Sequence, residues 1–107
     1  MPAGLLLALA IAAEVAGTIA LRFSDGFTRL FPSAVVVVGY AFSFWMLALV
    51  LRHLSVGTTY AIWAGAGTVA IALIGIVALG EPATALKLAS IALIVVGVAG
   101  LHLSGTE

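Results

Sequence analysis

The chain has 107 residues and a formal net charge of zero, with 64% of residues hydrophobic and 7% charged. A soluble domain carries about 25% charged residues, so this chain cannot clothe a water-facing surface, and its mean hydropathy of +1.36 marks a membrane protein with little extramembrane mass. A neutral chain offers nothing to nucleic acid, the absence of cysteine removes disulfides and thiolate metal sites, and His53 and His102 lack a ligand spacing, so neither a metal nor a cofactor is expected.

A helix that crosses the hydrocarbon core needs about 20 mainly apolar residues. Four stretches qualify, and together they predict an all-α, four-span protomer forming one membrane domain over residues 1–107. The first span covers 3–21. No Lys or Arg precedes it and an acid interrupts it, which is wrong for a secretory signal peptide, so it is read as a retained span. Residues 22–32 (RFSDGFTRLFP) hold three charges, a Gly and a Pro and read as a loop. The second span covers 33–51, and residues 52–57 connect it to the third, over 58–79. Gly80-Glu81-Pro82-Ala83-Thr84 is a turn, because Gly and Pro stop and restart helices. The fourth span covers 85–103, followed by a short polar tail. The runs are twice the length of a barrel strand and do not alternate polar with apolar residues, which argues against strands.

The formal charges can then be placed one by one. Arg22, Asp25, Arg29, Arg52, Glu81 and Glu107 fall in loops or the tail, and Lys87 lies in the first turn of span four, where its ammonium can snorkel outward. Only Glu14 is left in hydrocarbon. Arg22, Arg29 and Lys87 share one side of the membrane and Arg52 lies on the other, a weak bias under the positive-inside rule. Such a bias permits insertion both ways up, and with it an antiparallel dimer of identical chains.

A charge at the centre of a bilayer costs about 2.5–3.5 kcal/mol on insertion scales, and intramembrane ionisable residues are functional by default. The helical neighbours of Glu14 at three and four residues are Ala10, Ile11, Gly17 and Thr18. Most are small, so that face is expected to admit a partner helix or a ligand. A carboxyl there can hold a proton or, once ionised, a cation, but not both. Entry of one expels the other, which is the core of proton–cation exchange.

Span three adds Tyr60 and Trp63, three residues apart and so on one helix face, and span two adds Tyr40. Aromatic faces attract cations by about 0.5–2 kcal/mol, and a carboxylate with Trp and Tyr suits a lipophilic cation. Gly65 and Gly67 weaken the middle of span three and mark either a hinge for alternating access or a close helix contact. Four helices are too few to enclose a polar pathway, so a second copy must supply walls. Small residues at Ala89, Ser90, Gly97 and Gly100 allow close helix approach in lipid and predict the dimer contact, centred on Ser90 and Gly97.

With these residues in place the chain resembles the small multidrug resistance family of bacterial exporters over essentially its whole length. The likeness is carried by Ala13-Glu14-Val15, Gly26-Phe27-Thr28-Arg29-Leu30, Pro32-Ser33, and Tyr60-Ala61-Ile62-Trp63 with Gly65 and Gly67. The resemblance implies an antiparallel homodimer (a heterodimer in some members) in the bacterial inner membrane, a shared pair of Glu14 carboxylates, and exchange of protons for a small cationic substrate. It places the family's aromatic site positions on Tyr60, Trp63 and Tyr40. Its dimerising small-residue pattern falls on 90–97, where this chain has Ser90 in place of the more usual Gly.

The family's guanidinium exporters usually carry Trp two residues after the acid and a basic residue late in helix four. Those positions are Ala16 and Leu101 here. Gly17-Thr18 and Tyr40 resemble the multidrug branch, whereas Gly80-Glu81-Pro82 resembles the guanidinium branch. Because first-span residues line the site, the expectation is proton-coupled export of quaternary ammonium and other lipophilic cations. Guanidinium export is the alternative, and a non-transporting, proton-carrying membrane subunit a further one. No nucleophile–base pair is available, so no enzyme is expected.

Overall fold

The computed structural model describes residues 2–104. Four helices follow one another: α1 Ala3–Phe23, α2 Leu30–Val50, α3 Val56–Ala78 and α4 Ala85–Leu103, with no strand among the described residues. All four are long and apolar enough to cross a membrane. A helix of 21 residues such as α1 rises about 31 Å, which matches a hydrocarbon core of about 30 Å. The tail charge Glu107 lies outside the described residues.

Three boundaries differ from the sequence expectation for physical reasons. α1 continues through Arg22 and Phe23, so Arg22 sits in the last helical turn rather than in a loop. There its cation faces the negative end of the helix dipole. α2 starts at Leu30, ahead of Pro32. The first turn of a helix has no use for its N–H groups, so proline is accommodated there and does not mark the boundary. α3 starts at Val56, because Ser55 takes the extended conformation of an N-cap residue and Gly57 lies inside the first turn. α4 starts where expected, with the Thr84 hydroxyl accepting from the Lys87 backbone N–H at 3.1 Å.

The chain divides into two compact units, one holding α1 and α2, the other α3 and α4. In the first, the connection is a left-handed turn: Asp25, Gly26 and Phe27 have φ of 49°, 68° and 67°. Non-glycine residues there cost on the order of 1–3 kcal/mol and persist only where their surroundings hold them. Ser24, fully buried, is what holds them. Its hydroxyl donates to the Leu21 carbonyl at 2.8 Å and accepts from the Phe27 N–H at 3.1 Å. Its carbonyl accepts from the N–H groups of Thr28 at 2.9 Å and Arg29 at 3.0 Å.

α1 and α2 pack through small residues. A Cβ placed on Gly39 would lie 3.0 Å from the Ala13 carbonyl oxygen and 3.3 Å from the Gly17 Cα. Two backbones meet here with no room for a methyl group, which is how helices associate where lipid removes the hydrophobic drive. Further along, the buried Ser43 hydroxyl donates to the Ala10 carbonyl at 2.6 Å.

The second unit is packed less extensively. A Cβ on Gly65 would come within 2.7 Å of Val98 Cγ2, so Gly65 is the seat of a close α3–α4 contact and α3 runs through it without interruption. At the far end the Glu81 side chain folds over the buried Gly75, and Glu81 pairs with Lys87 at 3.5 Å. Both side chains are about a third or more exposed (42% and 32%), where such pairs add little. No residue of α4 is buried.

Gly39→Ala forces a methyl group onto backbone that cannot yield. Overpacking of this kind costs about 1–3 kcal/mol, so the melting temperature in detergent should fall by several degrees. Gly4→Ala, with nothing within 4 Å of the added atom, should leave it unchanged or slightly raised. Equal melting temperatures for the two variants would contradict the close α1–α2 contact.

Candidate functional site

Glu14 lies half-buried within α1. The i to i+4 spacing of a helix brings Thr18 one turn along the same face, and the Thr18 hydroxyl donates to Glu14 Oε2 at 2.8 Å. From α2, the Tyr40 hydroxyl lies 2.6 Å from Thr18 Oγ1. Three side chains from two helices thus form one continuous polar chain inside an apolar unit. Among the described residues no basic side chain pairs with Glu14: the ion pair at Lys87 belongs to Glu81.

The small neighbours of Glu14 were expected to admit a partner helix or a ligand, and α2 takes part of that face. Ala10 is fully buried, its carbonyl held by Ser43. Gly17 is buried under Tyr40, two of whose ring carbons lie 3.1 and 3.2 Å from where a Gly17 Cβ would be. Gly17 therefore makes room for the ring that carries the hydroxyl to Thr18.

Tyr60 and Trp63 belong to the second unit. Their rings are 5.5 Å apart and tilted by 47°, one turn apart on α3. Tyr60 is exposed and Trp63 buried. Thr59, on the same turn, is fully buried and its hydroxyl has no hydrogen-bond partner among the described residues. Gly67 is buried, whereas Ser90 and Gly97 are exposed on α4. The Ser90 hydroxyl donates to the Leu86 carbonyl at 2.8 Å, and no atom comes within 4 Å of a Cβ built at Gly97. A groove of about 550 Å³ runs between α3 and α4, lined by Ile62, Ala66, Leu73, Val95 and His102 among others. It is lined by no carboxylate, and its wall is apolar apart from His102.

Sequence reasoning missed Ser43, Gly39 and Ser24. Ser43 carried a signal, being a polar side chain in mid-span three residues after Tyr40. Gly39 and Ser24 carried none, because their roles depend on which helix lies opposite.

The chain matches the family model described as Small Multidrug Resistance protein over residues 3–94. It is similar to the guanidinium exporter of Escherichia coli strain K12, with 45% identity over 100 residues covering 94% of this chain and 95% of that protein. It is similar to the quaternary ammonium compound-resistance protein QacE of Escherichia coli, with 45% identity over 103 residues covering 96% and 94% of the two chains. It is also similar to the multidrug resistance protein mmr of Mycobacterium bovis, with 43% identity over 104 residues covering 96% and 97%. A polar chain built on an acid within an apolar helix, four spans and a family match over most of the length converge: the chain belongs to the Small Multidrug Resistance family, whose members are exporters and not enzymes, and it is a multi-pass transporter of the inner membrane.

Proposed function

We propose that the protein is a proton-coupled antiporter in which a proton and a lipophilic or quaternary ammonium cation compete for Glu14. The observation that carries this reading is a carboxyl group within α1 that is met by the Thr18 hydroxyl, itself bonded to Tyr40, and by no basic side chain among the described residues. A permanent cation partner would neutralise the acid for good. Its lack leaves the charge for a mobile ion, and only one ion fits at a time. Thr18, Tyr40, Ala10 and Gly17 frame the carboxyl, while Tyr60 and Trp63 supply aromatic faces for the cation.

Guanidinium export is supported equally, since a relative of that name matches at the same 45% identity as the quaternary ammonium protein. The chemistry separates the two. Guanidinium brings N–H donors that seek oxygen acceptors such as Thr18 and Tyr40, whereas a quaternary ammonium has none and relies on rings. A non-transporting proton carrier is set aside by the family match.

The transporting unit we propose is an antiparallel homodimer, with a heterodimer as the variant, that pairs two Glu14 carboxyls. Ser90 and Gly97 form its contact and the Gly65–Gly67 stretch flexes between its states. Support for the contact is that α4 buries none of its residues and that Gly97 leaves open space.

In proteoliposomes with a proton gradient, Glu14→Gln should reduce efflux of the quaternary cation ethidium to the rate of protein-free vesicles, and transport at the wild-type rate would end the proposal. Ethidium binding to the wild type should strengthen as pH rises, because proton and cation compete by mass action; affinity constant between about pH 6 and pH 9 would do the same. Trp63→Leu should weaken ethidium binding by about 2- to 30-fold, the range of a cation–π contact, and leave the remaining Trp45 emission unquenched by ethidium; unchanged affinity would remove Trp63 from the site. A C-terminal tag should be accessible from both faces of the membrane in intact cells, and labelling from one face alone would rule out dual insertion.

A further inference from the structure

We infer that Thr18 is a positioning residue that transmits the protonation state of Glu14 to the hydroxyl of Tyr40, so that the donor pattern facing the substrate changes as the proton leaves. This rests on the reading of Glu14 as the shared site. A hydroxyl has one hydrogen and two lone pairs, and an ionised carboxylate only accepts. With Glu14 ionised, the single Thr18 hydrogen is committed to Oε2 at 2.8 Å. The 2.6 Å contact between Thr18 and Tyr40 must then be a bond that Tyr40 donates. Both hydrogens point toward the carboxylate, and each bond polarises the next. The phenol oxygen is left with its lone pairs turned outward, as an acceptor suited to a cation.

When a proton occupies Oε2, the polarity reverses. Glu14 becomes the donor, Thr18 accepts from it, and the Thr18 hydrogen turns to the Tyr40 oxygen. The phenol hydrogen is released and points outward, presenting a donor that disfavours a cation. No proton passes along the chain: two hydroxyl hydrogens reorient and one proton is added to Glu14. Proton and cation therefore exclude one another at the carboxyl and again at the phenol.

The packing of the first unit fixes this arrangement. Gly17 admits the Tyr40 ring, and Gly39 brings α2 onto Ala13 and Gly17. The titratable groups that the two facing helices contribute are Glu14 and Tyr40. Arg22, one turn beyond Thr18 on α1, is exposed and makes no bond to it among the described residues. Asp25, Arg29, Arg52 and His53 lie outside the apolar spans.

The test is ethidium binding to the purified full-length protein as a function of pH, for Thr18→Val, Thr18→Ser, Tyr40→Phe and the Thr18→Val/Tyr40→Phe double variant, with Glu14→Gln as reference. Removing a hydrogen bond to a charged acceptor should move the pH of half-maximal binding upward by about one pH unit in Thr18→Val. Thr18→Ser, which keeps the hydroxyl, should bind as the wild type does. Tyr40→Phe should move the midpoint in the wild type and have no further effect in the Thr18→Val background, the non-additivity of groups acting in series. A Tyr40→Phe shift of the same size in both backgrounds would overturn the inference, because Tyr40 would then act without Thr18. A wild-type midpoint in Thr18→Val would overturn it too, and were that variant not to fold, a wild-type midpoint in Tyr40→Phe would serve. Failure of the underlying reading looks different: Glu14→Gln would keep the wild-type pH dependence.

Discussion

One bond sets the terms for the rest of the first unit: the Thr18 hydroxyl on Glu14 Oε2. An acid in hydrocarbon must be neutral, paired with a base, or held by neutral donors. Here a neutral donor meets it. Pairing with arginine or lysine would have stabilised the charge but fixed it, leaving nothing to exchange. Hydroxyls solvate either form, because each can donate or accept, so the carboxyl keeps the same partner whether it is protonated or ionised.

That arrangement depends on how closely two helices approach. Tyr40 reaches Thr18 only because Gly17 has no side chain under its ring and Gly39 none over the Ala13 carbonyl. The Ser43–Ala10 bond ties the same pair of helices further along, and the Ser24-centred left-handed turn closes their ends. The first unit is thus braced at its loop, its glycine crossing and its serine bond. The second unit has one close contact at Gly65 and an α4 with no buried residue. A closely packed frame thus surrounds the acid, whereas the fourth helix has no buried residue.

Much of this was legible in the sequence. Four long apolar runs leave little choice of fold, and a single acid in hydrocarbon names its own importance. Helix ends were less legible, because Pro32 breaks helices in their interior but not in their first turn, and composition does not say which of these applies. The roles of Ala10 and Gly17 were half legible: their size was plain, but whether smallness serves a ligand or a neighbouring helix depends on what lies opposite. Gly65 posed the same ambiguity, and Val98 occupies the space above it. Thr18 and Tyr40 were visible as polar and aromatic residues. Their contact across 22 positions of chain requires the crossing of α1 and α2, which no local pattern encodes.

The oxygen-rich and the ring-rich groups of the proposed function fall in different units. The first presents oxygen atoms on Glu14, Thr18 and Tyr40, which suit a cation rich in N–H groups. The second presents the tilted ring pair of Tyr60 and Trp63, which suits a cation whose charge is wrapped in carbon. A planar guanidinium gains directional bonds from the oxygens and little from the rings. A quaternary ammonium gains only Coulomb attraction from the carboxylate and leans on the rings. In the antiporter we propose, the carboxyl serves either cation in exchange for the proton, so substitution at Tyr40 should weaken guanidinium binding more than that of a quaternary ammonium, and substitution at Trp63 should do the reverse.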